Sequence, residues 1–257
     1  MIDEELARKA EQQQLSKVTV IQGKARRHGF EAPFSVFQLV SWVVAAFIFI
    51  STCLSSISIL QRDEGSVPNG DKISCGIILG LYLLAYLAMV VTTVIVTKSD
   101  PTDPTIALER LARAAKKNKF AKLDFNPADY QFYCDVCDTH VLKNTKHCQR
   151  CNRCAYDFDH HCVWVSNCIG MHNYIDFIRM LTSVLLTVIM QLVVCSYTLA
   201  TISVSDSVGL MSKGSLKALN WTTLAISFIL LLLDTYLLTF HIYLICKNTS
   251  TYKHIRR

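Results

Sequence analysis

Apolar residues gather in four long stretches that are separated by polar segments. The stretches cover residues 32–61, 73–97, 180–205 and 218–246. Each reaches the roughly 20 residues that a helix needs to cross a bilayer. The first three contain no Asp, Glu, Lys or Arg, whereas the fourth contains Asp234. The pattern predicts four transmembrane helices. Asp234 could be a functional group or a partner for a polar group such as Thr187 or Gln191, and the structural role is favoured.

The composition agrees with a membrane protein. Hydrophobic residues make up 51% of the 257 positions, which is too apolar for an ordinary soluble domain of this size. The residues before the first stretch are mostly polar and show no secretory cleavage pattern. We therefore expect the first stretch to act as an uncleaved anchor.

Basic residues are distributed unevenly around the four stretches. Of the 26 Lys and Arg, 21 lie before the first stretch, in residues 98–171 between the second and third, or after the fourth. By the positive-inside bias, these three segments face the cytoplasm. The net charge of +6 then reflects topology, since aromatic and basic residues do not interleave as they do on nucleic-acid surfaces.

Cysteine dominates the central segment, which holds seven of the eleven in the chain: Cys134, Cys137, Cys148, Cys151, Cys154, Cys162 and Cys168. Cytoplasmic thiols stay reduced, so disulfides are disfavoured. Two cysteines separated by two residues can hold one tetrahedral zinc ion, and this spacing occurs three times beside histidines. The segment is short of aliphatic residues, so metal is the candidate for folding it.

Two closed zinc sites need eight ligands, and the segment offers more than eight. Besides the seven cysteines there are His147, His160 and His161, with His140 nearby. Two of the ten principal candidates are therefore left over, and the spacing does not say which two. A His and a Cys two positions apart, beside an Asp, would make a plausible base, nucleophile and orienting group.

The run Asp159-His160-His161-Cys162, set in this cysteine-rich frame between the second and third stretches, resembles the DHHC family of protein S-acyltransferases. Lys146-His147-Cys148, Trp164 and Asn167-Cys168-Ile169-Gly170 also match the family pattern. The resemblance implies one zinc held by Cys134, Cys137, His147 and Cys154, and a second held by Cys148, Cys151, His161 and Cys168. Cys162 would then be the nucleophile, with His160 and Asp159 as its catalytic partners, which agrees with the surplus of two ligands.

The resemblance also implies the fold and the activity. We expect an all-α membrane protein of four transmembrane helices, with a cytoplasmic zinc-binding cysteine-rich domain between the second and third. The predicted order is a cytoplasmic N-terminal segment (1–33) with a helix-compatible run at 4–17, helices 1 and 2 (34–97), the DHHC domain (98–172), helices 3 and 4 (173–246) and a cytoplasmic tail (247–257). Within the domain, a short helix is expected at 105–117.

The implied reaction is protein S-palmitoylation. An acyl group moves from acyl-CoA (palmitoyl-CoA) to Cys162 and then to membrane-proximal protein substrates with cytoplasmic cysteines. The implied cofactors are two structural Zn²⁺ ions, and the implied setting is the lipid bilayer of the endoplasmic reticulum or Golgi, without nucleic acid. The candidate cations for the CoA phosphates are Lys143, Lys146, Arg150, Arg153, Arg179 and Lys247, although a solvated side chain or a lipid-headgroup contact is the favoured role for any one of them.

Two positions depart from the family pattern. Asp100-Pro101-Thr102 stands where the family has Asp-Pro-Gly, and Ser250-Thr251-Tyr252-Lys253 stands where it has Thr-Thr-x-Glu. Because Lys for Glu reverses a charge, a catalytically weak zinc-containing membrane adaptor is the second hypothesis. A channel or transporter would need ionisable residues in several spans, and Asp234 is nearly alone there.

Overall fold

The structure is a computed structural model that describes residues 25–61, 67–116, 125–204 and 211–256. It divides into two compact units. One, called here the membrane unit, consists of Phe34–Thr97 and Ile175–Thr249. The other, called the cysteine-rich unit, is built around Lys98–Tyr174 and includes the described residues before 34 and after 249. The helix-compatible run at 4–17 lies outside the described residues.

Six α-helices are present in the described residues. In chain order they are α1 (Val36–Leu60), α2 (Asn69–Lys98), α3 (Pro104–Lys116), α4 (Tyr174–Val204), α5 (Lys213–Cys246) and α6 (Thr251–Ile255). Four of them, α1, α2, α4 and α5, are long and apolar enough to cross a membrane. The prediction of four transmembrane helices is confirmed, and these helices fit an integral membrane protein.

Buried side-chain hydrogen bonds join the helices of the membrane unit. The Thr52 hydroxyl on α1 donates to Gln191 Oε1 on α4 at 2.7 Å. Asn220 on α5 donates to Ser55 Oγ on α1 at 2.9 Å and accepts from the Thr198 hydroxyl on α4 at 2.7 Å. Such polar pairs stabilise helix contacts where lipid removes the hydrophobic driving force.

Asp234 does not pair as the sequence predicted. The Thr187 hydroxyl donates to the carbonyl of Ala85 at 3.0 Å, while Gln191 bonds with Thr52. Within the part of the chain that the structure describes, Asp234 Oδ2 is buried without a hydrogen-bond partner. The predicted pairing is therefore wrong, because Thr187 and Gln191 are already bonded to other groups.

The cysteine-rich unit contains three antiparallel hairpins of three-residue strands. They are β1 (Phe132–Cys134) with β2 (Thr139–Val141), β3 (Lys146–Cys148) with β4 (Arg153–Ala155), and β5 (His160–Cys162) with β6 (Asn167–Ile169). Each hairpin turn ends on a residue with positive φ: Asp138 (52°), Asn152 (48°) and Ser166 (49°). Asp and Asn are among the residues that tolerate this conformation best, and in each turn it reverses the chain so that the second strand can pair.

Asp103 fixes the start of α3 to the hairpins. Its side chain is fully buried, and its two oxygens accept four hydrogen bonds. Oδ1 accepts from the backbone N–H and hydroxyl of Thr105 at 2.9 and 2.6 Å. Oδ2 accepts from the Leu142 N–H at 2.8 Å and from the Thr145 hydroxyl at 2.6 Å. The carboxylate therefore joins the first turn of α3 to the connection between β2 and β3.

We expect Asp103→Asn to destabilise the cysteine-rich unit, because the amide nitrogen would face donors that need an acceptor. The expected loss is on the order of 3 kcal/mol. The loss of stability is measured by heating the protein in detergent and monitoring proteolytic cleavage within residues 98–174 as the unit unfolds. The matched control is Asp135→Asn, because Asp135 is an exposed carboxylate of the same unit. Equal stability of the two variants would contradict the role given to Asp103.

Candidate functional site

The first group of metal-type ligands comes from two hairpins. Cys134 and Cys137 lie at the end of β1 and in the turn after it, and His147 and Cys154 face each other across β3 and β4. Their ligand atoms all lie within 4.8 Å of one another. Cys137 Sγ is 3.3 Å from His147 Nδ1 and 3.6 Å from Cys154 Sγ.

The second group repeats this arrangement one hairpin later. Cys148 and Cys151 lie at the end of β3 and in the following turn, and His161 and Cys168 face each other across β5 and β6. These four ligand atoms also lie within 4.8 Å of one another. His161 Nδ1 is 3.7, 3.3 and 3.9 Å from the sulfurs of Cys148, Cys151 and Cys168.

Both groups have the chemistry and spacing of a zinc site. In a tetrahedral site with zinc–sulfur bonds of about 2.3 Å, neighbouring ligand atoms are about 3.8 Å apart. Three sulfurs and one imidazole nitrogen at 3.3 to 3.9 Å fit this geometry. The two clusters could bind zinc, which would then cross-link the hairpins.

Hairpin β3–β4, with its turn, supplies ligands to both groups. His147 and Cys154 belong to the first group, whereas Cys148 and Cys151 belong to the second. Because adjacent strand residues point to opposite faces, His147 and Cys148 reach different groups. The position of one hairpin therefore determines the geometry of both clusters.

Cys162 belongs to neither group. It is the last residue of β5 and is buried, with an exposed fraction of 6%. The side chain of His160 interacts with it, and His160 Nδ1 lies 2.7 Å from Asp159 Oδ2. Burial alone would lower the pKa of His160, but the contacts with Asp159 and Cys162 outweigh burial and raise that pKa to about 9. The imidazolium form is thus favoured beside the Cys162 sulfur.

Asp159 is held from two sides. Besides His160, it accepts hydrogen bonds from Thr251 at the start of α6: from the backbone N–H at 2.8 Å and from the hydroxyl at 2.7 Å. Burial would raise the pKa of Asp159, but the contacts with His160 and Thr251 keep it below its ordinary value. The Asp159 carboxylate is therefore ionised and fixed in orientation. In the sequence, only the altered family motif in the tail pointed to Thr251.

The residue that reverses the family charge in the tail, Lys253, is exposed. Ser250 caps α6 through a hydrogen bond from the Lys253 N–H at 3.2 Å. Tyr252 packs edge-on against Phe158 at 5.9 Å between ring centroids. The tail keeps the contact of Thr251 with Asp159 although the family Glu is replaced.

Gly170 allows two chain segments to approach closely. A Cβ at this position would lie 2.5 Å from the carbonyl oxygen of Tyr156. That same oxygen accepts a hydrogen bond from the Met171 N–H at 3.1 Å. Any side chain at residue 170 would push β6 away from the segment before β5, and this explains the glycine that closes the Asn-Cys-Ile-Gly run.

Three other candidate residues have different roles. His140 Nδ1 lies 3.2 Å from Glu109 and belongs to neither four-ligand group. Arg153 is buried and bonded within the cysteine-rich unit, which removes it from the candidate cations for a CoA phosphate. Arg179 forms an ion pair with Asp176 at 2.8 Å. The roles of His140 and Arg153 depend on contacts between distant residues, whereas the pair of Arg179 and Asp176 is local to α4.

Several curated proteins are similar to part of this chain. Probable protein S-acyltransferase 7 of Arabidopsis thaliana is 37% identical over 129 residues, which are 48% of this chain and 28% of that protein. Palmitoyltransferase SWF1 of Saccharomyces cerevisiae is 37% identical over 83 residues, 30% of this chain and 25% of its own. Palmitoyltransferase ZDHHC4 of Bos taurus is 37% identical over 95 residues, which are 35% of this chain and 26% of that protein. The aligned part thus spans less than a third of each relative.

The model of the DHHC palmitoyltransferase family matches residues 128–257. This range covers half of the chain and includes both four-ligand groups, the Asp159–His160–Cys162 arrangement, α4, α5 and the tail. The match agrees with the resemblance that the motifs suggested. The chain belongs to the DHHC palmitoyltransferase family.

Proposed function

We propose that this protein is a protein S-acyltransferase that moves a long-chain fatty acyl group from acyl-CoA to cysteines of other proteins. The transfer passes through a thioester on Cys162. The observation that carries the proposal is that the Cys162 sulfur lies outside the two four-ligand groups. Six of the seven cysteines in the central segment lie in the two four-ligand groups, whereas Cys162 lies beside His160.

In the first step, His160 takes the proton of the Cys162 thiol and holds the thiolate as an imidazolium partner. The thiolate attacks the thioester carbonyl of acyl-CoA, and the bond to the CoA sulfur breaks. The CoA thiolate leaves and takes the proton from the imidazolium. Asp159 keeps His160 in the required tautomer and orientation, as its 2.7 Å contact with Nδ1 allows.

In the second step, a cysteine thiol of the protein substrate gives its proton to His160 and attacks the acyl-enzyme carbonyl. The bond to the Cys162 sulfur breaks, and the proton returns to Cys162. A thioester is exchanged for a thioester in both steps, so the net free-energy change is small. The task of the enzyme is to place the reacting groups.

The proposal includes two zinc ions with a structural role. The first would be held by Cys134, Cys137, His147 and Cys154, and the second by Cys148, Cys151, His161 and Cys168. With three thiolates and one neutral imidazole, each filled site carries a formal charge of about −1, which does not favour a thiolate at Cys162. Activation of the nucleophile is therefore assigned to His160 and Asp159.

The proposed setting is an endomembrane, the endoplasmic reticulum or Golgi, with Cys162 on the cytoplasmic side. The unequal distribution of Lys and Arg among the connecting segments supports this orientation. Protein substrates would present cytoplasmic cysteines close to the bilayer. Burial of an acyl chain contributes roughly 0.8 kcal/mol per CH₂, so a long chain can bind mainly through its apolar length.

The adaptor hypothesis is not favoured. It was based on the replacement of the family Glu by Lys253, but that side chain is exposed and Thr251 still bonds with Asp159. The related proteins that match this chain are named as acyltransferases or palmitoyltransferases. The enzyme is therefore the better-supported of the two functions.

Incubation with radiolabelled palmitoyl-CoA should label the purified protein through a hydroxylamine-labile thioester. We expect Cys162→Ser to reduce the label to background, because a serine hydroxyl beside His160 is a far weaker nucleophile than a thiolate. Cys246→Ser, which removes an exposed cysteine at the end of α5, should keep the wild-type label. Persistence of the label in Cys162→Ser would disprove the proposed nucleophile.

Metal analysis tests the ligand assignment. We expect two zinc ions per chain, one for each four-ligand group. Cys137→Ser removes one thiolate from the first group and should lower the zinc content, whereas Cys246→Ser should not. Inductively coupled plasma mass spectrometry measures the ratio of zinc to protein. Full zinc content in Cys137→Ser would contradict the assignment.

The tail contact predicts different effects for two neighbouring substitutions. Thr251→Val keeps the shape of the side chain but loses the 2.7 Å hydrogen bond to Asp159. We expect the rate of Cys162 acylation to fall on the order of tenfold, since a hydrogen bond to a buried charge is lost. Lys253→Glu restores the family residue at an exposed position and should change the rate little. The reverse order of effects would refute the role of Thr251.

A further inference from the structure

Arg153 is a buried cation that lies close in the sequence to ligands of both four-ligand groups. It lies in β4 directly before Cys154 of the first group and two residues after Cys151 of the second. Its side chain is only 3% exposed. Because a buried guanidinium is unfavourable unless its charge and N–H groups are paired, its contacts indicate what it does.

Those contacts join three segments that are distant in sequence. Nη1 donates to the carbonyl oxygen of Arg27, which precedes α1, and to Asp100 Oδ1 at 3.1 Å, just after α2. Nη2 donates to Asn167 Oδ1 in β6. The planar guanidinium can hold several acceptors at fixed angles, which a lysine ammonium cannot do.

Asn167 connects this guanidinium to the strand that carries the nucleophile. It is paired directly with Cys162 across the β5–β6 hairpin. Its Oδ1 also accepts from the Cys168 N–H at 2.9 Å, and its Nδ2 donates to the carbonyl of Ser99 at 2.9 Å. With Oδ1 held by Arg153 and Nδ2 held by Ser99, the amide has one orientation, and the strand opposite Cys162 is fixed to the residues that follow α2.

We propose that Arg153 is a positioning residue for Cys162, acting through Asn167. The inference rests on the proposed function, because the placement of Cys162 affects a rate only if that sulfur is acylated. A displacement of a reacting group by about 1 Å can cost roughly 100-fold in rate. The hydrogen bonds that connect the β5–β6 hairpin to the residues after α2 should therefore affect the rate of Cys162 acylation.

The positioning role can be separated from metal binding. Both four-ligand groups are complete without Arg153, since each already contains three sulfurs and one imidazole. Replacing the guanidinium removes its hydrogen bonds but none of the eight ligands. A variant at this position should consequently keep its metal and lose only the fixed placement of the β5–β6 hairpin.

The test uses the full-length protein in detergent and the variant Arg153→Gln. The initial rate of acyl transfer to Cys162 is measured over a range of palmitoyl-CoA concentrations, and zinc is measured in the same preparation. We expect the maximal rate to fall roughly 10- to 100-fold, as for other residues that orient a reactive or ligating group. The concentration for half-maximal rate and the zinc content should stay at the wild-type values.

Two matched variants sharpen the result. Arg110→Gln removes an exposed arginine on α3 and should leave the maximal rate unchanged. Arg153→Lys keeps the charge without the planar fork and should restore only part of the rate. The maximal rate of the double variant Arg153→Gln/Asn167→Ala should be no lower than that of the more severe single variant, since both substitutions remove the same Arg153–Asn167 hydrogen bond.

The outcomes separate this inference from the proposed function. A wild-type protein that is not acylated at Cys162 would overturn both. If the wild type is acylated, the inference alone fails when Arg153→Gln matches Arg110→Gln or when the losses in the double variant multiply. It also fails if Arg153→Gln loses zinc in proportion to its rate, because Arg153 would then be a purely structural residue.

Discussion

The cysteine-rich unit depends on the convergence of sulfur and imidazole ligands at two points. In the part of this unit that the structure describes, the buried apolar clusters are small and are built largely from the ligands themselves. One contains Cys148, Cys151 and Cys168 with Ala155, and the other contains Cys154 with Ile106 and Val141. So little apolar surface cannot offset the conformational entropy of ordering the three hairpins. Metal coordination is the interaction that could supply the missing free energy.

The same constraint explains why the reactive group needs its own support. A cysteine taken into a four-ligand group would be unavailable as a nucleophile, so Cys162 must be held by protein contacts. Its strand partner Asn167 is fixed by Arg153 and Ser99, and its neighbour His160 is fixed by Asp159. Bound metal would order the backbone around the site, while carboxylate, amide and guanidinium contacts set the positions of the side chains to which the proposed reaction is assigned.

Sequence patterns predicted the elements that depend on local composition. The four membrane helices were identified, although α2, α4 and α5 begin at Asn69, Tyr174 and Lys213, several residues before the apolar stretches. Polar residues such as Asp71 and Asp176 continue these helices beyond the apolar run, so hydrophobicity alone placed the starts too late. The C-x2-C spacing likewise indicated the metal-type ligands, because two ligands in one turn are a local feature.

Features that depend on distant contacts were not predictable in this way. Thr251 is 92 residues from Asp159 in the sequence, and the family motif around it did not indicate which residue it contacts. Arg153 resembles any other basic residue in the sequence, and its burial appears only when three segments meet. The strands of three residues are too short for a periodic pattern, since two alternations do not distinguish a strand from a turn.

The hairpin β3–β4, together with its turn, contributes to both four-ligand groups, and this has a consequence for metal loading. An ion bound at the first group would fix His147 and Cys154, and the same strands would then present Cys148 and Cys151 to the second group. Because the hairpin would already be ordered, the second ion would bind to a partly formed site at a smaller entropic cost. Uptake of two zinc ions would therefore be cooperative, and apo and doubly loaded chains would predominate over singly loaded ones.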